Sequence, residues 1–230
     1  MLKFEKSSIF QTASFVFLTV VRNFANAKPQ NVEKKGGHIF PDGKMVIYMR
    51  VITGTARGRR LKAPEGRDVR PTTDKVKEAV FSIIQFDIEG SAVLDLFSGS
   101  GQMGVEALSR GAKSCVFVDS SHTSIGITKE NVAAAGFRNQ ATVITADSIS
   151  YLRMCRSKFD IAFLDPPYEK GLIEQSMPLL CGLMSERGIV LCEHEKGLAL
   201  PESFGSLVLH RTYKYGKVEV TVYRIPDNEG

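Results

Sequence analysis

No two cysteines in this 230-residue chain stand at C-x-x-C spacing, and its four histidines are isolated. A metal site of the usual zinc pattern is therefore not expected. The four cysteines, Cys115, Cys155, Cys181 and Cys192, lie in apolar segments and read as reduced core residues of a reducing compartment. No apolar run approaches the roughly 20 residues that cross a bilayer, so no membrane span is expected. Internal repeats and low-complexity tracts are missing as well. What remains is an ordinary globular composition, 43% hydrophobic and 24% charged, long enough for one good-sized domain with an appendage.

The formal net charge of +5 is unevenly spread. Residues 50–77 hold nine Lys or Arg against three acids, and the first 45 residues hold seven against three. The remainder is acidic. A basic front end on an acidic body suits a polyanionic partner such as nucleic acid, or is simply a solvated face.

Residues 1–45 do not resemble the rest. An apolar run at 15–21 preceded by lysines and followed by Ala25-Asn26-Ala27 imitates a secretory signal. Arg22 and Asn23 interrupt the approach to that site, and Met45 and Met49 stand just before the first convincing strand. The segment reads as a disordered extension or a mis-chosen start, with an organelle-targeting peptide as the alternative. Residues 46–90 then form a basic unit: two β-prone pieces, VIYMRVITG and RRLKAP, flank the turn-like TARG. In RPTTDKVKEAVFSII, Val76, Val80, Phe81 and Ile84 recur at helical spacing behind a Thr72, Thr73 or Asp74 cap.

From 91 to 230 apolar strands alternate with helices and end in a hairpin near Gly216. That texture predicts a Rossmann-like α/β domain. Its seven-stranded, mostly parallel sheet carries helices on both faces and an antiparallel C-terminal hairpin. In such sheets ligands bind beyond the carboxyl ends of the strands. The first end is Asp95-Leu96-Phe97-Ser98-Gly99-Ser100-Gly101, a loop whose glycines let backbone approach a ligand. Gly99-x-Gly101-x-x-Gly104 also matches the dinucleotide fingerprint, but Asp95 would crowd a pyrophosphate and suits a ligand bearing an ammonium group. Asp119 ends the second strand, where an acid accepts ribose hydroxyls, and Asp147 ends the third, either facing an adenine amino group or capping a helix. Together these ends outline S-adenosylmethionine.

The fourth strand stops in Asp165-Pro166-Pro167-Tyr168, because proline cannot donate to a sheet ladder. The corner offers the Asp165 carboxylate and the Pro166 carbonyl, restrained by the Pro167 ring, as two acceptors for an exocyclic amino group. Tyr168 adds a flat face for a base. Delocalisation makes such an amine a poor nucleophile. Two acceptors favour its pyramidal form and take up its proton.

DPPY after the fourth strand, with D-x-F-x-G-x-G after the first, resembles the amino-methyltransferases of nucleic acids. The segments MRVITGTARGRRLKAP, RPTTDKVKEAVFSII, VLDLFSGSGQMGVEALSRGA, FLDPPYEKG and YGKVEVTVYR resemble landmarks of the RsmD family, 16S rRNA guanine-N2 methyltransferases with the class I fold. The resemblance implies Asp165, Pro166, Pro167 and Tyr168 as the amino-group clamp. It implies Asp95, Gly99 and Gly101 for the methionine end of the cofactor, Asp119 for its ribose, and Phe97 as a further cofactor-binding residue. Arg70 and Thr72 would lie over the cofactor, and Arg57, Arg59 and Arg60 would face RNA. It also implies a cytoplasmic monomer working on ribosomal RNA, within an assembling small subunit, without metal or membrane. The rival readings are a DNA adenine-N6 or protein amide methyltransferase, a non-catalytic RNA-binding factor, and an NAD oxidoreductase. No separate target-recognition domain favours DNA, and no cysteine at a strand-end loop supports pyrimidine C5 chemistry.

Overall fold

Sequence texture and tertiary structure agree from residue 92 onward. The computed structural model describes residues 37–39, 45–47, 49–63, 74–168 and 171–226. The expectations for residues 1–36 and for Arg70 and Thr72 therefore lie outside the described residues. The chain divides into two compact units, Met1–Ile47 and Tyr48–Gly230. In the first, strands β1 (Gly37–Ile39) and β2 (Met45–Ile47) pair antiparallel.

The second unit begins with β3 (Met49–Arg50) and β4 (Arg60–Leu61), an antiparallel pair, followed by helix α1 (Asp74–Ile83). Then come β5 (Ala92–Leu96), α2 (Gln102–Ser109), β6 (Ser114–Asp119), α3 (His122–Ala135), β7 (Ala141–Thr145), α4 (Ser148–Met154), β8 (Phe159–Leu164) and α5 (Leu172–Cys181). The chain closes with β9 (Met184–Glu195), β10 (Ser203–Phe204), β11 (Leu207–Tyr215) and β12 (Val218–Arg224). Eight strands form one sheet in the order β10-β11-β12-β9-β8-β5-β6-β7. The seven expected strands are present, with the two-residue β10 added at an edge. β5, β6, β7, β8 and β9 run parallel, while β12 and β11 return antiparallel.

Period-two alternation sends successive side chains of each central strand into two different cores. Val93, Phe163 and Leu191 pack with α1, α2 and α3, and Leu94, Leu164 and Cys192 pack with α4 and α5. Helix α3 starts at His122 because Ser121 is its cap, accepting from the Ser124 N–H. Gly136, at φ 87°, ends it. The β3–β4 hairpin pairs over only two residues per strand, because its loop turns its N–H groups towards α2 (below). No helix among the described residues is long and apolar enough to cross a membrane.

Candidate active site at the carboxyl ends of the strands

β5 lies between β6 and β8, so the strand order reverses there and a crevice opens beyond its carboxyl end. The loop leaving β5 is strained: Phe97 holds φ 69°, a left-handed conformation that costs a bulky residue about 1–3 kcal/mol. Gly99 follows at φ 53°, with open space where a Cβ would stand, and Gly101 follows at φ 73°. Gly104 has a different role, since a Cβ there would sit 2.2 Å from the Phe117 ring. It is a packing glycine that lets α2 lie against β6. Two acids of the outline hold the loop itself. Asp95, only 4% exposed, accepts the Gly104 N–H at 2.9 Å. Asp119 accepts from Gly99 N and Ser121 N, each at 2.8 Å. Asp147 is the exposed N-cap of α4, bonded to Ser150 N at 2.9 Å. That bond holds its carboxyl below the ordinary value.

From behind, α3 props the same loop. Thr128 Oγ1 donates to Gly99 O at 2.9 Å, and Asn131 Nδ2 donates to Ser100 O at 2.8 Å. Asn131 also exchanges bonds with the backbone of Lys62, tying the end of the hairpin to the glycine loop. Burial raises the Asp95 carboxyl to about 7, with the Gly104 bond opposing and the charge of Asp119 adding. A buried acid of that kind, an open face at Gly99 and the buried, unpartnered Ser98 hydroxyl fit a ligand with a cationic, hydrogen-bonding end. The residues present thus fit S-adenosylmethionine.

The Asp165–Tyr168 corner follows β8 directly. Register and alternation put Asp95, Asp165 and Glu193 on the same face, at the ends of the adjacent strands β5, β8 and β9. Asp165 is crowded by protein yet open to solvent at the rim. The crowding, and after it the negative charges of Glu193 and Asp95, raise its carboxyl well above the usual range. Solvent access tempers the first effect, so the neighbouring carboxylates are the firmer cause. Pro166, Pro167 and Tyr168 line a small recess with Gly171, Glu193 and His194, and Tyr168 is 42% exposed. A roomier concavity of about 570 Å³ lies at the far end of α2, lined by residues such as Thr53, Gln85 and Arg110. No strand-end loop reaches it, so it is not the site.

The hairpin is fastened along α2 by a buried charge cluster. Glu106 accepts from Ile52 N (2.8 Å) and Thr53 N (3.0 Å) and from Arg110 Nε (2.8 Å), with Lys77 Nζ at 3.6 Å. Lys77 in turn donates to Arg50 O at 2.6 Å. Burial pulls its ammonium below the ordinary value, against the opposing pull of Glu106. Thr55 N and Ala56 N bond Ser109 at the end of α2. Arg57, Arg59 and Arg60 are exposed on this hairpin, and its tip docks at the carboxyl end of α2, away from the glycine loop. They form a flank rather than the mouth of the site. At the tip, Gly54 has φ 87°, and an added Cβ would stand 1.7 Å from Ser109 O. Gly54→Ala therefore combines left-handed strain with a backbone clash, and we expect a loss of roughly 2–4 kcal/mol in denaturant unfolding. A loss under about 0.5 kcal/mol would contradict this docking.

The profile of the family described as "Conserved hypothetical protein 95", the RsmD family, matches residues 49–224. The chain belongs to this family. YlbH of Bacillus subtilis (strain 168) is 39% identical over 181 residues, covering 76% of this chain and 98% of that protein. Ribosomal RNA small subunit methyltransferase D of Escherichia coli (strain K12) is 33% identical over 178 residues, covering 76% and 89%. The solved structure of the Escherichia coli protein yhhF superposes with TM-score 0.71 at 30% identity, covering 77% of this chain and 98% of that one. The fold is that of the methyltransferases, and RsmD-family membership implies S-adenosylmethionine as the cofactor.

Several residues of this RsmD-family site escape sequence reading. Glu106, Thr128 and Asn131 sit in helices as ordinary polar residues until packing buries them, each at 1% exposure or less. The signal for Glu106 is a lone acid within the otherwise apolar run of α2. Glu193 carries a comparable signal: it stands at a strand's carboxyl end, the position that singled out Asp95, Asp119 and Asp165.

Proposed function

We propose that this chain transfers a methyl group from S-adenosylmethionine to the exocyclic N2 amino group of a guanine in small-subunit ribosomal RNA. The observation that carries the reading is the Asp165-Pro166-Pro167-Tyr168 corner, one strand away from the Gly99–Gly101 loop on the same sheet end. The names of relatives, such as small subunit methyltransferase D, support the substrate class. The basic hairpin unit would bind RNA through Arg57, Arg59 and Arg60. Asp95, Phe97, Gly99, Gly101, Asp119 and Asp147 would hold the cofactor, with Arg70 and Thr72 over it. We place the reaction in the cytoplasm, on an assembling subunit, with the chain acting as a monomer.

Bound cofactor supplies an electrophilic methyl group on a sulfonium. The chain's residues do the rest by positioning. Asp165 and the Pro166 carbonyl accept the two amino hydrogens, aiming the nitrogen lone pair at the methyl carbon. With the methyl donor bound, Asp165 would also take up the amino proton released on transfer. Tyr168 stacks on the splayed base, worth roughly 1–3 kcal/mol. Extruding a base from folded RNA costs a few kcal/mol, which favours a target already in a loop.

Tritium transfer from labelled S-adenosylmethionine into small subunits from cells lacking the gene tests the reading. Label should appear as N2-methylguanosine. Cofactor binding without label in ribosomal RNA would redirect the search to DNA and protein acceptors.

Asp95 makes cofactor binding depend on pH. Its folded-state carboxyl sits at about 7, above an unfolded value near 3.9. The neutral form thus stabilises the free protein fully below about pH 4, and that stability drains away as pH rises through 7. A cofactor ammonium instead favours the ionised form, so affinity should rise up to about tenfold per unit between pH 5.5 and 7, then level off. Titration calorimetry with Asp95→Asn should lose that slope. A variant that kept it would remove Asp95 from the methionine end.

A further inference from the structure

We propose that Glu193, at the carboxyl end of β9, reads the target base: its carboxylate accepts the N1–H of the guanine whose N2 amino group is held at Asp165. This rests on the reaction proposed above and adds to it a residue that sets base specificity. Placement comes first. Phe163 pairs with Leu191 and Leu164 with Cys192, so Asp165 and Glu193 stand next along their strands. Strand alternation turns both towards the face of Phe163 and Leu191. Glu193 lines the same recess as Pro166, Pro167 and Tyr168. That recess, about 70 Å³, continues past the pair towards Leu172 and Ile173 of α5. The base would lie over the two carboxylates, outside that recess and against the ring of Tyr168, which is 42% exposed. The charge of Glu193 also acts on the Asp165 carboxyl, as expected for carboxylates side by side on neighbouring strands.

The backbone carrying Glu193 is pinned. His194, 1% exposed, has Nδ1 at 3.0 Å from Glu195 O and Nε2 at 2.8 Å from Thr221 Oγ1, itself 2.9 Å from Thr212 Oγ1. A carbonyl only accepts, so Nδ1 carries a proton and, in the neutral ring, Nε2 accepts from the Thr221 hydroxyl. This chain of bonds locks β9 to β12 next to Glu193.

Chemistry then selects the base. Guanine presents two donors side by side on its pairing edge, N1–H and the N2 amino group. Adenine and cytosine each set an amino group beside a ring nitrogen that can only accept. Two neighbouring carboxylates complement paired donors, and Glu193 would repel the lone pair of the wrong bases. Discrimination by repulsion adds to that by attraction.

The test uses the full-length chain and small subunits reassembled on RNA with either guanine or 2-aminopurine at the methylated position. 2-Aminopurine keeps the amino group but has an acceptor at N1. The wild type should prefer guanine at least tenfold in kcat/KM. Glu193→Gln can donate to that acceptor, so it should narrow the preference tenfold or more while S-adenosylmethionine affinity stays unchanged. If both substrates fall together and the ratio holds, Glu193 only supports the fold and the inference is overturned. Should the variant fail to fold, the wild type decides: equal rates on the two bases overturn the inference. A wild type that methylates neither base overturns the underlying reaction, and the inference with it.

Discussion

Replacing Asp165 with alanine should lower methyl transfer by about 10²–10⁴-fold, the range a positioned acid–base group contributes. S-adenosylmethionine binding should stay within a few-fold of wild type. The split follows from placement. Asp165 follows β8 and opens the Pro166–Tyr168 corner, whereas the loop proposed for the cofactor leaves β5 and is held by Asp119, Thr128 and Asn131. Asp165→Asn is the more informative partner. Its amide keeps one acceptor oxygen but cannot take the proton, so it should fall between alanine and wild type. Single-turnover rates and calorimetry, measured from pH 5.5 to 8, separate these effects. Near-wild-type transfer by Asp165→Ala would sink the clamp assignment.

The second large effect concerns stability. Glu106→Ala should lower the melting temperature by roughly 6–20 °C, or prevent accumulation of the protein. Breaking a buried ion pair by removing one partner costs about 3–5 kcal/mol, and a domain of this size shifts about 2–4 °C per kcal/mol. Lys77 would be left fully buried without its carboxylate, and the N–H groups of Ile52 and Thr53 would lose their acceptor. Orphaned donors of that kind cost about 1–3 kcal/mol each. The double variant Lys77→Met with Glu106→Leu removes both charges but leaves the two N–H groups unpaired, so it should recover only part of the loss. Calorimetric melts of the three proteins test this. A shift under about 2 °C for Glu106→Ala would mean the cluster contributes little. Because Glu106 stands on the helix that follows the glycine loop, the surviving fraction should also bind cofactor less well.

That cluster marks the boundary of what a sequence can say. The eight-stranded sheet was legible apart from its edge strand because its signals are local. Apolar runs bounded by glycine and proline make strands, and 3.6-residue recurrence makes helices. Strand-end residues such as Asp95, Asp119 and Asp165 followed at once, since the fold class alone says where ligands bind. The DPPY corner was legible because two prolines permit few backbone conformations. Tertiary structure alone decided the rest. It showed Asp119 and Asp147 spending oxygens on backbone N–H groups, and it turned the arginine hairpin towards the carboxyl end of α2. It buried Asn131 against Lys62, 69 residues away, and Glu106 against Ile52, 54 residues away. It also set Glu193 beside Asp165. A polar side chain exposed on one helix and buried on another looks the same in sequence. The difference lies in desolvation and in partners many turns distant, and only the packed chain supplies those.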